Sequence, residues 1–356
     1  MLYTSARRFP SATGVSAEGQ IGYVYKLALS SDRRAVAVAT QDRALRLIDT
    51  ERLSMASQVA IAHHSTITDL QAVPSAVGGP CSFISASTDG TSKVWDLRQD
   101  TPVITTKLST NLYDAPMFGA SVSDSGTCAV SCGPNITLFK FGEWKKFFEY
   151  TESHFDTVSC LGCGRFGNQA DILISGGEDG LVNVYNTTDL VNEDHGQCPT
   201  KTFNVGDSVR SFHLSPQRIF AFSTTESISV WDSATSCKVR PDVDTIRSHP
   251  LLASEETGWG YLIGMNQDCS RLLAGNSEGK IVEFDSTTFE VSNTFSAQHT
   301  GVVRSAVYLN QDLLLTAGED GYLYEWTKAA SQPIEMGQGK LRSRSHRASA
   351  CSRPYY

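Results

Sequence analysis

No apolar run in the 356 residues approaches the length of a membrane-spanning helix, although 40% of the side chains are hydrophobic. The opening stretch, MLYTSARRFPSATG, lacks the continuous apolar segment that marks a secretory leader. Cysteine occurs nine times, an odd number without the rhythm of a secreted scaffold. Reduced thiols and a chain of the cytosol or nucleus are therefore expected. Asn135-Ile136-Thr137 and Asn186-Thr187-Thr188 match the glycosylation triplet and are read as silent in that setting. Helical periodicity is nearly absent. The sequence contains no P-loop, no nucleophile elbow and no paired acidic motif, so nothing in it calls for an enzyme.

Positive charge is scarce except at one end. The twenty residues from Gly337 hold five basic side chains (Lys340, Arg342, Arg344, Arg347 and Arg353) and no acid. The other 336 hold 25 basic and 38 acidic side chains, a net of −13. An acidic body argues against direct binding of a phosphate backbone. The Ser- and Arg-rich end reads as a disordered tail, either solvated or carrying a nuclear-import or phosphorylation signal.

What the chain does have is a repeat. FISASTDGTSKVWD (Phe83 to Asp96), ILISGGEDGLVNVYN (Ile172 to Asn186) and LLLTAGEDGYLYEW (Leu313 to Trp326) share one plan. An Asp opens a tight turn (Asp89, Asp179, Asp320), and an aromatic follows six residues later (Trp95, Tyr185, Trp326). A Ser or Thr stands four positions before the Asp (Ser85, Ser175, Thr316), and upstream lies a His (His63, His154, His299) four residues ahead of a strand. Weaker copies lead from Gln41-Asp42, Thr225-Glu226 and Ser277-Glu278, and a seventh unit spans Ser131 to Phe139. Seven units of about 46 residues fill nearly the whole chain. Each reads as four short strands rich in β-branched residues and bounded by Gly, Pro, Asn or Ser. One such unit cannot bury both faces alone, so the even spacing favours a single closed ring.

These residues resemble the WD-repeat β-propeller family. Trp95-Asp96 and Trp231-Asp232 match its naming dipeptide, and Ala62-His63 and Ser153-His154 stand where it usually has Gly-His. More narrowly, Glu152 to Asn186, Tyr261 to Gly264, Gly275 to Ile281 and His299 to Trp326 resemble the WD repeat-containing protein 89 group. The implied fold is all-β, a single seven-bladed propeller over residues 20–330. Residues 1–19 form an N-terminal segment whose Leu2 to Arg8 return as the closing strand, because Pro333 spoils the strand character of the residues after Trp326. Residues 331–356 are the basic tail.

Several constellations look chemical. His63, Ser85 and Asp89 imitate a hydrolase triad, but the set recurs on three units, which suits a buried structural network rather than an active site. GCGRFG (Gly162 to Gly167) fits the dinucleotide fingerprint by letter, yet a polar loop and a strand follow it instead of a helix. Cys160 and Cys163 have redox or metal spacing without a second ligand pair, and His63-His64 finds no partner at ligand spacing. No cofactor and no metal are expected.

The resemblance also implies where partners dock. In such propellers the lead-in loops and the residue before each turn acid ring one face. Here that ring holds Gln41, Thr88, Glu178, Thr224 and Glu319, with Thr68, Ser159 and Arg304 at the starts of inner strands. With the acidic body, these residues favour a basic protein client such as a histone tail or ribosomal-protein segment, bound by a monomer within larger complexes. An alternative rests on Phe83 to Arg98, which resembles the extended WDxR box of substrate receptors for cullin-four ubiquitin ligases. There Arg98, with Asp96 beside it, would meet the ligase adaptor subunit.

Overall fold

The computed structural model describes residues 2–10, 22–97, 103–108, 116–151, 153–166, 169–187, 198–239, 246–253, 258, 260–296 and 298–328. Strand β1 (Leu2–Pro10) precedes the first blade, formed by β2 (Val24–Leu29), β3 (Ala35–Thr40), β4 (Leu45–Asp49) and β5 (Ser54–Val59). The second blade has β6 (Ile67–Ala72), β7 (Ser82–Ser87), β8 (Thr91–Asp96) and β9 (Val103–Leu108), with a one-turn helix α1 (Ser75–Gly78) between its first two strands. The third has β10 (Ala120–Val122), β11 (Thr127–Cys132), β12 (Asn135–Lys140) and β13 (Lys145–Tyr150). The fourth has β14 (Val158–Phe166), β15 (Gln169–Gly177), β16 (Leu181–Asn186) and β17 (Lys201–Asn204). The fifth has β18 (Val209–Leu214), β19 (Arg218–Ser223), β20 (Ile228–Asp232) and β21 (Lys238–Val239). The sixth has β22 (Tyr261–Met265), β23 (Arg271–Gly275), β24 (Ile281–Asp285) and β25 (Val291–Phe295). The seventh has β26 (Val303–Tyr308), β27 (Leu313–Gly318) and β28 (Tyr322–Lys328), with β1 as its fourth strand. The chain is therefore a seven-bladed, all-β propeller, and the seven acidic or Gly-rich turns read from the sequence fall between the second and third strands of their blades.

Period-two alternation explains how the blades stack. In β7, Phe83 packs toward the first blade with Ala37 and Leu47, while Ile84 packs toward the third with Ala120 and Val130. In β27, Leu314 faces the sixth blade and Leu315 the first. Second strands are thus covered on both faces: β3 and β7 are buried along their whole length. Outer strands meet water on one side, and β5 alternates exposed and half-buried residues at its start. The described core divides into seven clusters, one at each junction between neighbouring blades.

β1 has two partners. It pairs antiparallel with β28 from Tyr3↔Lys328 to Pro10↔Tyr322, and its first residues pair parallel with β25 at Leu2↔Thr294 and Tyr3↔Phe295. The sequence offered no sign of the second pairing, which fuses blades six and seven into one eight-stranded sheet. Tyr3 is fully buried, stacks on Phe295 with centroids 4.6 Å apart, and contacts Arg271 through its hydroxyl at 3.3 Å. Arg7 pairs with Glu325, and the Arg8 guanidinium lies 4.2 Å from the Tyr322 ring centroid.

Candidate functional site

Three polar networks carry the repeated residues. In the second blade His63 Nδ1 lies 3.2 Å from Asp89 Oδ2, and His63 Nε2 lies 2.7 Å from Ser85 Oγ. Trp95 Nε1 donates to the same Ser85 Oγ at 2.8 Å. Asp89 also accepts the backbone N–H of His64 (2.8 Å) and of Thr91 (3.0 Å). The seventh blade repeats this with His299, Asp320, Thr316 and Trp326, at 2.8 Å for His to Asp and 2.7 Å for each contact to Thr316 Oγ1. In the fourth blade His154 meets Asp179 at 2.9 Å and Ser175 at 2.7 Å, but Tyr185 turns its hydroxyl to the Ser153 carbonyl, 3.4 Å away.

One proton arrangement satisfies every member of the Trp-bearing networks. Nδ1–H donates to the carboxylate, Nε2 accepts from the hydroxyl, and the hydroxyl oxygen accepts the indole N–H. Burial presses the His63 pKa down to about 4, despite the pull of Asp89, so the ring is neutral at pH 7. Burial would raise Asp89, but hydrogen bonds from Thr91 and the His64 amide, helped by His63, hold it down to about 2. The distances imitate a hydrolase triad. Ser85, Ser175 and Thr316, however, are 0% exposed, and the two that sit beside a Trp already accept its indole, so no substrate carbonyl can reach them. A further contact was not legible in the sequence. Lys93 Nζ (2.6 Å), Asn183 Nδ2 (2.8 Å) and Tyr324 Oη (3.1 Å), two residues before each aromatic, all donate to the carbonyl just ahead of the His.

The eroded blades solve the same turn differently. Asp42 is held by Arg46, at 3.1 Å to Nη1 and 2.5 Å to Nη2. In the sixth blade Asn276 Oδ1 accepts the N–H groups of Glu278 (3.1 Å) and Lys280 (3.0 Å). In the fifth, Thr225 and not Glu226 occupies the position of Asp89, and its hydroxyl donates to Asp207 at 2.5 Å. Glu226 stands one residue later with φ at 65°, where blades four and seven place Gly180 and Gly321 at 79° and 72°. Its carboxylate accepts the Leu262 N–H at 2.7 Å from the next blade, so it clamps a blade junction.

The residues expected on one face do share a construction. Gln41, Thr88, Glu178, Thr224 and Glu319 each donate a backbone N–H to the residue just before their blade's inner strand: Tyr23, Thr66, Thr157, Ser208 and Val302, at 2.8 to 3.1 Å. In these five blades the turn and the lead-in to the inner strand are therefore tied together on the same rim. Gln41, Glu178 and Thr224 are exposed. Thr88 is half-buried and bonds Ser65 Oγ at 2.7 Å. Arg304 and Glu319 neutralise each other through Nε at 2.9 Å. Thr68 donates to the Met117 carbonyl at 2.6 Å and Ser159 to that of Val209, so both hydroxyls tie their blade to the next. The same rim exposes apolar side chains that the sequence reading did not single out: Tyr23, Ile61, Phe155 and Leu251.

Inside the ring, Lys26 Nζ of β2 meets Asp69 Oδ1 of β6 at 2.9 Å. Asp69 also accepts Gln71 Nε2 (2.9 Å) and the Ala120 N–H (3.3 Å), and Gln71 reaches on to the Leu161 carbonyl at 2.8 Å, so four blades are joined. Cys160 packs toward the fifth blade and Cys163 toward the third, and burial pushes both thiols up to about 12. Among the described residues no group of three His, Cys, Asp or Glu side chains is placed to hold a metal ion. Gly162 and Gly164 of the GCGRFG stretch lie within β14, not ahead of a helix. Asp96 ends β8 half-buried, and Arg98 of the WDxR box lies outside the described residues, as does the basic segment after Lys328.

Seven four-stranded blades, a strand from the chain's start in the last of them and His–Asp–Ser/Thr–Trp networks beneath the rim define a WD-repeat β-propeller. No family model matches the chain. It is similar to WD repeat-containing protein GTS1 of Arabidopsis thaliana, 24% identical over 224 residues, 61% of this chain and 55% of that protein. It is also similar to the WD repeat-containing protein 89 homolog of Dictyostelium discoideum, 23% identical over 318 residues, 86% of this chain and 84% of that protein. The aligned part thus spans little more than half of the Arabidopsis relative.

Proposed function

We propose that this propeller is a non-catalytic protein-interaction scaffold of the cytosol or nucleus, and that its lead-in rim receives basic client segments. One observation carries the reading. Four of the six large hydrophobic side chains exposed among the described residues, Tyr23, Ile61, Phe155 and Leu251, stand in lead-in loops on that single rim. Apolar side chains gathered on one face of a folded ring suit a protein surface. The basic character of the client rests on the exposed Glu178 and the acidic body. The buried hydroxyls and imidazoles of the networks are committed to each other, which favours recognition over chemistry.

The test is affinity purification from cells with quantitative mass spectrometry, comparing wild type with the Glu178→Lys, Glu319→Lys double variant. Partners that carry basic segments should disappear while the melting temperature holds. An unchanged partner set would remove the rim acids from recognition.

A further inference from the structure

Most rim acids already have a cation. Glu226 pairs with Arg210 at 3.1 Å, Glu278 with Lys280 at 3.0 Å, Asp42 with Arg46, and Glu319 with Arg304. The fourth blade differs. Glu178 and Asp156 are both exposed, and neither has a cationic partner among the described residues. The Asp156 carboxylate only receives the N–H and hydroxyl of its neighbour Thr157, at 2.7 and 3.3 Å.

Next to Asp156 stands Phe155, whose 94% exposure is the largest of any big hydrophobic side chain described. Water is a poor setting for such a ring. Its backbone is nevertheless fixed. The Phe155 N–H is held by Asp179 at 2.9 Å, its neighbour His154 is locked in the buried network, and the Thr157 carbonyl takes the Glu178 N–H at 2.9 Å. The equivalent residues of blades two and seven, His64 and Thr300, are pinned in the same way but are polar. The fold thus holds an aromatic ring outward on a rigid base, beside two carboxylates without a cationic partner among the described residues.

Resting on the basic-client reading above, we propose that Phe155, Asp156 and Glu178 form the primary seat for one arginine side chain of an extended basic segment from a partner protein. A guanidinium is planar, stacks on a ring face and offers paired N–H groups to carboxylates. A lysine ammonium matches only the charge.

The probe is a fluorescein-labelled peptide, Gly-Ser-Arg-Gly-Ser-Arg-Gly, with lysine and citrulline counterparts, read by fluorescence anisotropy against the full chain at 0.1 M salt. The arginine peptide should bind about tenfold more tightly than the lysine peptide, and the citrulline peptide should not bind. Phe155→Ala and Asp156→Asn/Glu178→Gln should each weaken it by about tenfold or more, while Phe155→Trp retains it and Glu278→Gln, at an acid already paired with Lys280, leaves it unchanged. Phe155 is exposed, so its variants keep the wild-type melting temperature. Binding that survives Phe155→Ala, or is lost with Glu278→Gln instead, overturns this seat and leaves the basic-client reading standing. If no basic peptide binds, both readings fail. If binding appears only after Arg342, Arg344 and Arg347 are changed together to Gln, the chain's own basic segment occupies the seat and the partner is wrong.

Discussion

Lys26 and Asp69 are 43 residues apart in sequence and meet at 2.9 Å across the junction of the first two blades. The two ends of the pair are unequal: the lysine side chain is 42% exposed, the aspartate 5%. Asp69→Ala strips a buried hub of its bonds to Lys26, Gln71 and the Ala120 amide, and should cost about 3 kcal/mol in urea unfolding. Lys26→Ala should cost about 0–1 kcal/mol, because Asp69 keeps its other donors. Equal costs would mean that Asp69 contributes nothing beyond the ion pair.

Asp89→Ala should leave two turn amides without an acceptor and His63 Nδ1 with only Thr91 Oγ1 at 3.1 Å, for a loss of about 3 kcal/mol. Thr225→Ala, at the matching position of the fifth blade, breaks an exposed contact to Asp207 and a 3.1 Å contact to Ser223 Oγ, which keeps Ser227, and should cost under about 1 kcal/mol. Denaturation midpoints compared at equal m-values decide this, and coincident midpoints would reject the network as a source of stability.

Acid should weaken the fold in a defined window. His63 takes a proton near 6.5 when unfolded but only near 4 when folded, with Asp89, Lys93 and His64 around it. Between those values the unfolded state holds the extra proton, so stability falls as pH drops from 6.5 to 4. The slope for this one group reaches about 1.4 kcal/mol per pH unit. Asp89 adds a second loss below its ordinary 3.8, as pH falls through about 2. His63→Gln should flatten the first window. His213, also pressed down to about 4 by burial, titrates in both proteins and cancels. A His63→Gln curve as steep as wild type between pH 6.5 and 4.5 would place the effect elsewhere.

Tyr3→Ala should remove a buried ring wedged between blades six and seven, at about 3–5 kcal/mol. Tyr3→Phe keeps the stack on Phe295, loses the Arg271 contact and should cost about 1 kcal/mol. Deleting residues 1–10 should lower the melting temperature by several degrees, since both pairings of β1 go at once. An unchanged melting temperature would mean that β1 adds nothing to the closed ring.

The ring was legible in the sequence because its signals are local. His299, Thr316, Asp320 and Trp326 lie within one unit and recur at fixed offsets, so spacing alone assembles them. What joins different units was not legible. Nothing in the interval between Lys26 and Asp69 says that they touch, and Lys93, Asn183 and Tyr324 reach the same carbonyl with side chains that share no pattern. Glu226 misled for a related reason: an acid one position late looks like an eroded Asp, although its left-handed backbone points it toward the next blade. Phe155 did carry a signal, a lone aromatic in the polar stretch ESHFDT.

Because β1 pairs with both β25 and β28, Leu2 to Pro10 has no complete set of neighbours until Lys328 has been synthesised. At about 5–20 residues per second, that delay during translation is roughly 15–60 s. Through this interval β1 is an unpaired strand, and when β28 emerges its edge is unpaired too until β1 docks on it. Both are open to pairing with a neighbouring nascent chain on the same message. A swapped dimer, with β1 of one chain laid between β25 and β28 of another, would reuse the strand pairings of the monomer.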